Sequence, residues 1–425
     1  MPNNKIFVAI VKRNNTPTPS ALFLQMVALY VVLLSFSVGF DSILFKSAAS
    51  LLAILIFLVI LVNAVFIGRY ERPYRHLTLG IQLCAGLLML YVGLGFNILT
   101  TARHTDIGEW TKIVMAPAFL PFGYIFAAYD KNEVWKSGFN RLLFALLFLL
   151  PLGLWLIQLA IGKTSFGAGN IVGLFANRNN AALYFLALIS FYGAITGREI
   201  KNIFIFLFAG VAFGTLGVSL AIIVSLIVAV GQRRYWHWAV ITLSTFAIAV
   251  IYLPNDVALA RIRTVIESMR LILTGNINLS TIAYGELVTK LGTSDLSFVF
   301  RIKHWMNIIS IHLSGDISRI LFGNGVGSSI NLSEAHLIPH NDYVRLLFEC
   351  GVVSLVGFGT ILVAALLGIG RRWATVPLLA ISIYFFSENI VNNFVAMVLL
   401  FYSLGATLYR SRSEVDGGII TISKN

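Results

Sequence analysis

The chain has 425 residues, 58% of them hydrophobic and only 12% charged, with a net charge of +13 and a mean hydropathy of +0.86. A water-soluble domain of this size needs a far more polar surface, so that class is excluded; runs long enough to cross a bilayer recur along nearly the whole sequence. A pI near 9.8 would suit nucleic acid, but the placement of the basic residues gives the charge another meaning.

A polar N-terminal segment precedes a full-length apolar stretch starting near Ala21, a pattern without a cleavable signal peptide. Apolar segments are expected at about 21–42, 48–68, 77–100, 111–129, 142–162, 181–197, 202–214, 216–231, 236–253, 343–370, 373–387 and 391–409. The seventh and eighth are short, and the turn at Gly214-Thr215-Leu216-Gly217 suggests a shallow hairpin that needs protein rather than lipid around its break. The connections on one side hold Arg69, Arg72, Arg75, Lys131, Lys136, Arg141, Arg198, Lys201, Arg233, Arg234, Arg371 and Arg372. The short loops on the other side hold only Lys46, Arg103, Lys112, Lys163 and Arg178. Lys and Arg collect in cytoplasmic loops, which puts both termini in the cytoplasm. The basic excess is therefore topological, and no nucleic-acid partner is implied.

The expected fold class is all-α: a polytopic membrane protein of about twelve transmembrane helices with one large outer loop. Residues 1–253 form an N-terminal transmembrane bundle of about nine helices, two of them short. Residues 254–341 form the loop, and 342–425 the C-terminal helices with a short cytoplasmic tail. The loop is mostly polar and its charges nearly cancel. A connection this long is uncommon unless functional. Residues 256–273 and 295–314 carry apolar residues at helical spacing. In the second, Ser294-Asp295 is the expected cap and Leu296, Val299, Ile302, Met306 and Ile309 the apolar stripe. Both read as amphipathic helices lying over the mouth of the bundle.

His340 is the sharpest single feature, following Pro339 where the chain re-enters an apolar run. An imidazole at a helix N-terminus feels the positive end of the macrodipole, which disfavours its charged form and suits a general base. The competing reading is an interfacial histidine that only starts a helix. Arg301 has Trp305 one turn along the same face. Its planar fork suits a phosphate or diphosphate, though a lipid headgroup would serve equally. Arg263 and Arg270 share one helical face, with a headgroup-facing stripe as the alternative. Glu349 lies inside the 343–370 segment with Arg345 four residues earlier, a natural salt-bridge partner, and substrate contact is the second reading. Asn177, Asn179 and Asn180 open the 181–197 segment; one cap explains one asparagine, and spare amides could bind sugar hydroxyls. The two cysteines, Cys84 and Cys350, lie in or beside apolar runs, and no spacing of His, Cys, Asp or Glu suggests a metal cage.

Taken in order, Gly173-x-Phe175-x-Asn177-x-Asn179, Arg301-x-x-x-Trp305, Leu321-Phe-Gly-Asn-Gly-Val-Gly327, His340-Asn341-Asp342-Tyr343 and Glu349-x-Gly351 resemble the bacterial O-antigen ligase and O-antigen polymerase superfamily. The similarity runs from about residue 170 to 360; before that, only the number and hydrophobicity of the segments correspond. It implies a glycosyltransferase of the bacterial inner membrane with its active site on the periplasmic face and no cofactor or metal. The donor would be an undecaprenyl-pyrophosphate-linked glycan and the acceptor another glycan or lipid A-core. A chain-length regulator or a flippase would be candidate protein partners. His340 would act as base and Arg301 would hold the diphosphate, with Asn177, Asn179, Arg263, Arg270, Trp305, Asn341 and Glu349 as substrate contacts. Ligases of this family typically carry a Ser-Arg-Gly-like element at the start of the eighth helix. Here the stretch reads Thr215-Leu-Gly-Val-Ser219, without arginine, which favours a polymerase. A secondary transporter or an assembly scaffold is the reading from a different class.

Overall fold

The computed structural model describes residues 18–40, 77–102, 105–130, 133–162, 177–196, 216–229, 266–274, 281–291, 297–370, 374–389 and 393–422, with isolated residues between them. The expected segments at 202–214 and 236–253, most of 48–68, the start of 256–273 with Arg263, and the Ser294-Asp295 cap lie outside the described residues.

Every regular element among these residues is a helix: α1 (Pro19–Phe40), α2 (Leu77–Thr101), α3 (Ile107–Met115), α4 (Phe119–Asp130), α5 (Gly138–Ala160), α6 (Arg178–Thr196) and α7 (Leu216–Ala229). Then come α8 (Tyr284–Leu291), α9 (Ser297–Leu313), α10 (Ile317–Phe322), α11 (Ser328–Leu332), α12 (Asp342–Ile369), α13 (Thr375–Tyr384) and α14 (Phe394–Ile422). Six helices among the described residues are long and apolar enough to cross a membrane, with α3 and α4 counted as one through a short 3-10 turn at Ala116–Ala118. The chain is therefore a helical, membrane-embedded protein.

Several boundaries move for identifiable reasons. The helix expected from 111 begins at Ile107, because Asp106 accepts from Glu109 N at 3.1 Å and Glu109 pairs with Lys112 at 2.6 Å. The segment expected at 373–387 is helical only over ten residues: Ser387 turns both its N–H and its hydroxyl onto the Tyr384 carbonyl, at 2.9 and 3.1 Å, and closes the helix. The last helix continues to Ile422, past the expected end at 409.

Tight packing runs along two seams. α12 lies along α2, where Gly86 and Gly357 leave backbone facing backbone, and α14 lies along α4 and α6. The segment around α8 carries its own small core, in which Leu279, Ile282, Leu287 and Val299 pack with Ile272 and Tyr284. The expected α9 stripe is corrected here. Its buried side is Val299, Lys303, His304, Ile308 and His312, whereas Met306 is 46% exposed. Polar groups can face inward because partners await them: Lys303 donates to the Leu279 carbonyl at 3.2 Å and sits over the Tyr284 ring. Burial holds the His304 imidazole below its usual range, consistent with a neutral ring at 2.9 Å from the Leu337 carbonyl.

The loop is locked to the bundle at a break inside α12. Gly351 adopts φ 81°, ψ 172°, a conformation nearly confined to glycine, and the break frees the carbonyls of Phe348 and Glu349. In an apolar medium those groups must be satisfied by protein. Asn324 N donates to Phe348 at 2.9 Å and Gly325 N to Glu349 at 3.0 Å, while Asn97 Nδ2 donates to both Glu349 and Phe322 at 2.7 Å. The glycine run Gly323–Gly327 is thus a clamp, pressed against Glu349 and α2. A Cβ at Gly351 would meet the Leu321 carbonyl, so Gly351→Ala should cost about 3 kcal/mol or more. The expected readout is a clear drop in the thermal midpoint of the detergent-purified protein; an unchanged midpoint would contradict the clamp.

Candidate functional site

Three elements meet where the chain re-enters the bundle at the start of α12. Asn341 caps that helix, its Oδ1 accepting from Tyr343 N at 3.0 Å and Val344 N at 3.1 Å. Asp342 ties the same turn to the segment after α13: its N–H donates to the Phe385 carbonyl at 2.8 Å, and its Oδ2 accepts from Val391 N at 3.0 Å. The Tyr343 hydroxyl donates to the Ser382 carbonyl at 2.8 Å, and its ring packs on Phe385 and Phe386. These bonds place His340 beside the turn that ends α13.

Glu388 occupies that turn, and sequence reasoning missed it. Its carboxylate, 7% exposed, takes Arg301 Nη2 on Oε1 at 3.0 Å and His340 Nδ1 on Oε2 at 3.3 Å. Arg301 Nη1 donates to the neighbouring Ser387 carbonyl at 2.8 Å. A carboxylate only accepts, so Nδ1 carries the proton in this contact and Nε2 of a neutral ring is left as the acceptor. Exposure rises outward from the carboxylate: the Arg301 side chain is 28% exposed and the His340 side chain 41%. A ligand can therefore reach the imidazole and the guanidinium while Glu388 orients both from below. The only signal of Glu388 in the sequence was an acidic residue at the end of an apolar run, a costly placement that calls for partners.

α9 brings Arg301 to this point because His304 and Asn307 of the same helix hold the segment leading to His340; Asn307 Oδ1 accepts from Glu334 N at 3.1 Å. Trp305 lies one turn beyond Arg301, its indole N–H buried without a partner among the described residues, as is Asn389 Oδ1 next to Glu388. Each is a buried polar atom still short of a hydrogen bond among the described residues. The start of α7 also reaches the site: a Cβ at Gly217 would touch the Ser387 hydroxyl and the Tyr384 ring at 2.8 and 2.9 Å, and Val218 is fully buried.

The remaining sequence candidates divide. Asn177 caps α6, accepting from Asn180 N at 2.8 Å, and the α6 start is tied to the α13–α14 connection by Asn393 Nδ2 on the Asn180 carbonyl at 3.2 Å. Asn179 is half-buried in the same turn. Glu349 is fully buried inside α12, with Arg345 Nε on Oε2 at 2.9 Å and the Ser329 hydroxyl on Oε1 at 2.5 Å. Its contacts among the described residues are internal, the expected pairing with Arg345 among them, and Asn341 is likewise engaged by its own helix. Arg270 is exposed on the loop, and no described contact brings it to Glu388. Among the described residues no group of three or more His, Cys, Asp or Glu is placed to hold a metal ion. In comparisons with known proteins, no family model and no curated protein matches the chain.

Proposed function

We propose that this protein is a glycosyltransferase of the bacterial inner membrane that extends a lipid-linked polysaccharide on the periplasmic face. The observation that supports it is the sharing of the buried Glu388 carboxylate between Arg301 and His340. A base and an anion-binding fork held by one carboxylate suit a displacement at a phosphate-activated carbon. The distribution of Lys and Arg favours an orientation with this site outside the cytoplasm, and the full reading keeps about twelve spans with 254–341 as the outer loop.

In the proposed reaction, His340 Nε2 takes the proton of an acceptor hydroxyl and the oxygen attacks the anomeric carbon of the donor sugar. The bond from that carbon to the diphosphate oxygen breaks, configuration inverts, and undecaprenyl diphosphate leaves. Arg301 stabilises the charge that grows on the leaving diphosphate. Trp305 Nε1 and Asn389 Oδ1 have polar atoms to offer the sugar. Polymerase is preferred to ligase because the start of α7 abuts the site yet presents Gly217 and a buried Val218, where the resemblance places an arginine in ligases.

The test supplies purified protein with lipid-linked repeat units, with and without lipid A-core. Products of two or more repeats without core are expected; transfer only when core is present would overturn the polymerase assignment, and no transfer in either mixture would overturn the enzyme. Arg301→Lys keeps the charge but loses the fork and the two-point hold on Ser387 and Glu388. Donor KM should rise by roughly ten-fold, the worth of one charge-assisted hydrogen bond. Unchanged donor KM would remove Arg301 from the site.

A further inference from the structure

Tyr384 is among the largest fully buried side chains, 1% exposed, yet its hydroxyl has no hydrogen-bond partner among the described residues. A buried phenol normally finds one. It stands one helical turn before Glu388, on the helix end closed by Ser387. The charges that act on it are those of Glu388, Arg301 and Arg178. Arg178 is the first residue of α6.

Two contacts tie α6 to this region. α6 packs against α13. Asn393 Nδ2 holds the Asn180 carbonyl in the first turn of α6 at 3.2 Å. Gly217 leaves the edge of the Tyr384 ring uncovered by any side chain of its own. An arginine at the first position of a helix also runs against the macrodipole, whose positive end favours anions there. A bound anion would reverse that penalty, since the dipole and the guanidinium would then attract the same ligand. The charges of two arginines and one carboxylate act on a buried hydroxyl donor. That pattern suits a ligand of two linked negative groups better than a single phosphate.

We infer that Arg178 and the Tyr384 hydroxyl form the second half of a diphosphate site, Arg301 engaging one phosphate and Arg178 the other. The inference rests on the donor chemistry proposed above. It gives the site the cation that Thr215–Ser219 lacks, from a different helix.

The experiment titrates inorganic pyrophosphate and inorganic phosphate, by calorimetry at low salt, into the full-length protein purified in detergent. The unmodified protein should bind pyrophosphate more tightly than phosphate. Arg178→Ala and Arg301→Ala should each weaken pyrophosphate binding by roughly ten-fold or more and abolish its preference over phosphate. Tyr384→Phe removes one oxygen from a buried ring with little change in packing, and should weaken pyrophosphate binding several-fold at an unchanged thermal midpoint. It decides the matter if Arg178→Ala fails to fold. Loss of affinity in Arg301→Ala, with Arg178→Ala and Tyr384→Phe both unchanged, would overturn the inference and leave the proposed function standing. Absence of pyrophosphate binding in the unmodified protein would overturn both.

Discussion

His340→Ala should lower the rate of glycan extension by about 10²–10⁴-fold, the usual worth of a positioned general base, while the amount of protein in the membrane stays the same. The side chain is 41% exposed and makes its contact at the rim of the site, so its removal opens no core cavity. Two measurements check this. Chain length of the polymer in cells carrying the variant should collapse to single repeats, and initial rates with purified lipid-linked units should fall with little change in donor KM, because the base acts on the acceptor hydroxyl. Normal long-chain glycan at normal protein level would sink the catalytic role and return His340 to a helix-start residue.

Glu388 should matter almost as much, through the two groups it holds. Glu388→Ala removes the shared acceptor and leaves Arg301 without its ion pair; hydrogen bonds to charged groups are worth about 1.5–3 kcal/mol each, so a fall of roughly ten- to hundred-fold in kcat is expected. Glu388→Gln is the more telling variant. Its amide has nearly the same volume and still accepts through one oxygen, but its nitrogen faces a donor where the second oxygen accepted. It should therefore keep the fold and lose kcat to an intermediate extent, with donor KM rising as Arg301 loosens. A residue that only fills space would give wild-type kinetics in Gln and a lower thermal midpoint in Ala, and that outcome would remove Glu388 from the site. Because Glu388 acts on Arg301 as well as on His340, the effects of His340→Ala and Glu388→Ala should not simply add.

The membrane character and the main helices are written in composition and run length. An apolar run of about twenty residues has one economical solution in a bilayer, a helix that satisfies its own backbone. That is why α2, α5, α6 and α12 fall within a few residues of their expected places. Arg345–Glu349 was legible for a related reason, since residues four apart on a helix are neighbours whatever surrounds them. Asn177 as a cap was equally local.

What local spacing could not show was how distant segments meet. Glu388 lies 87 positions from Arg301 and 48 from His340, so no periodicity links them; only the packing of the α13 end against the start of α12 brings the three side chains onto one carboxylate. The inward face of α9 was misjudged for the same reason. Apolar periodicity cannot anticipate that Lys303 and His304 will find carbonyls of Leu279 and Leu337 waiting for them. The break at Gly351 was equally hidden, because a glycine in an apolar run reads as a packing site until the carbonyls it frees are seen to meet Asn97, Asn324 and Gly325. By itself the sequence determined where the chain is apolar enough to become helix in a membrane. The tertiary structure alone decided which buried polar groups face one another, since a charge or hydroxyl in an apolar interior persists only where folding has brought it a partner.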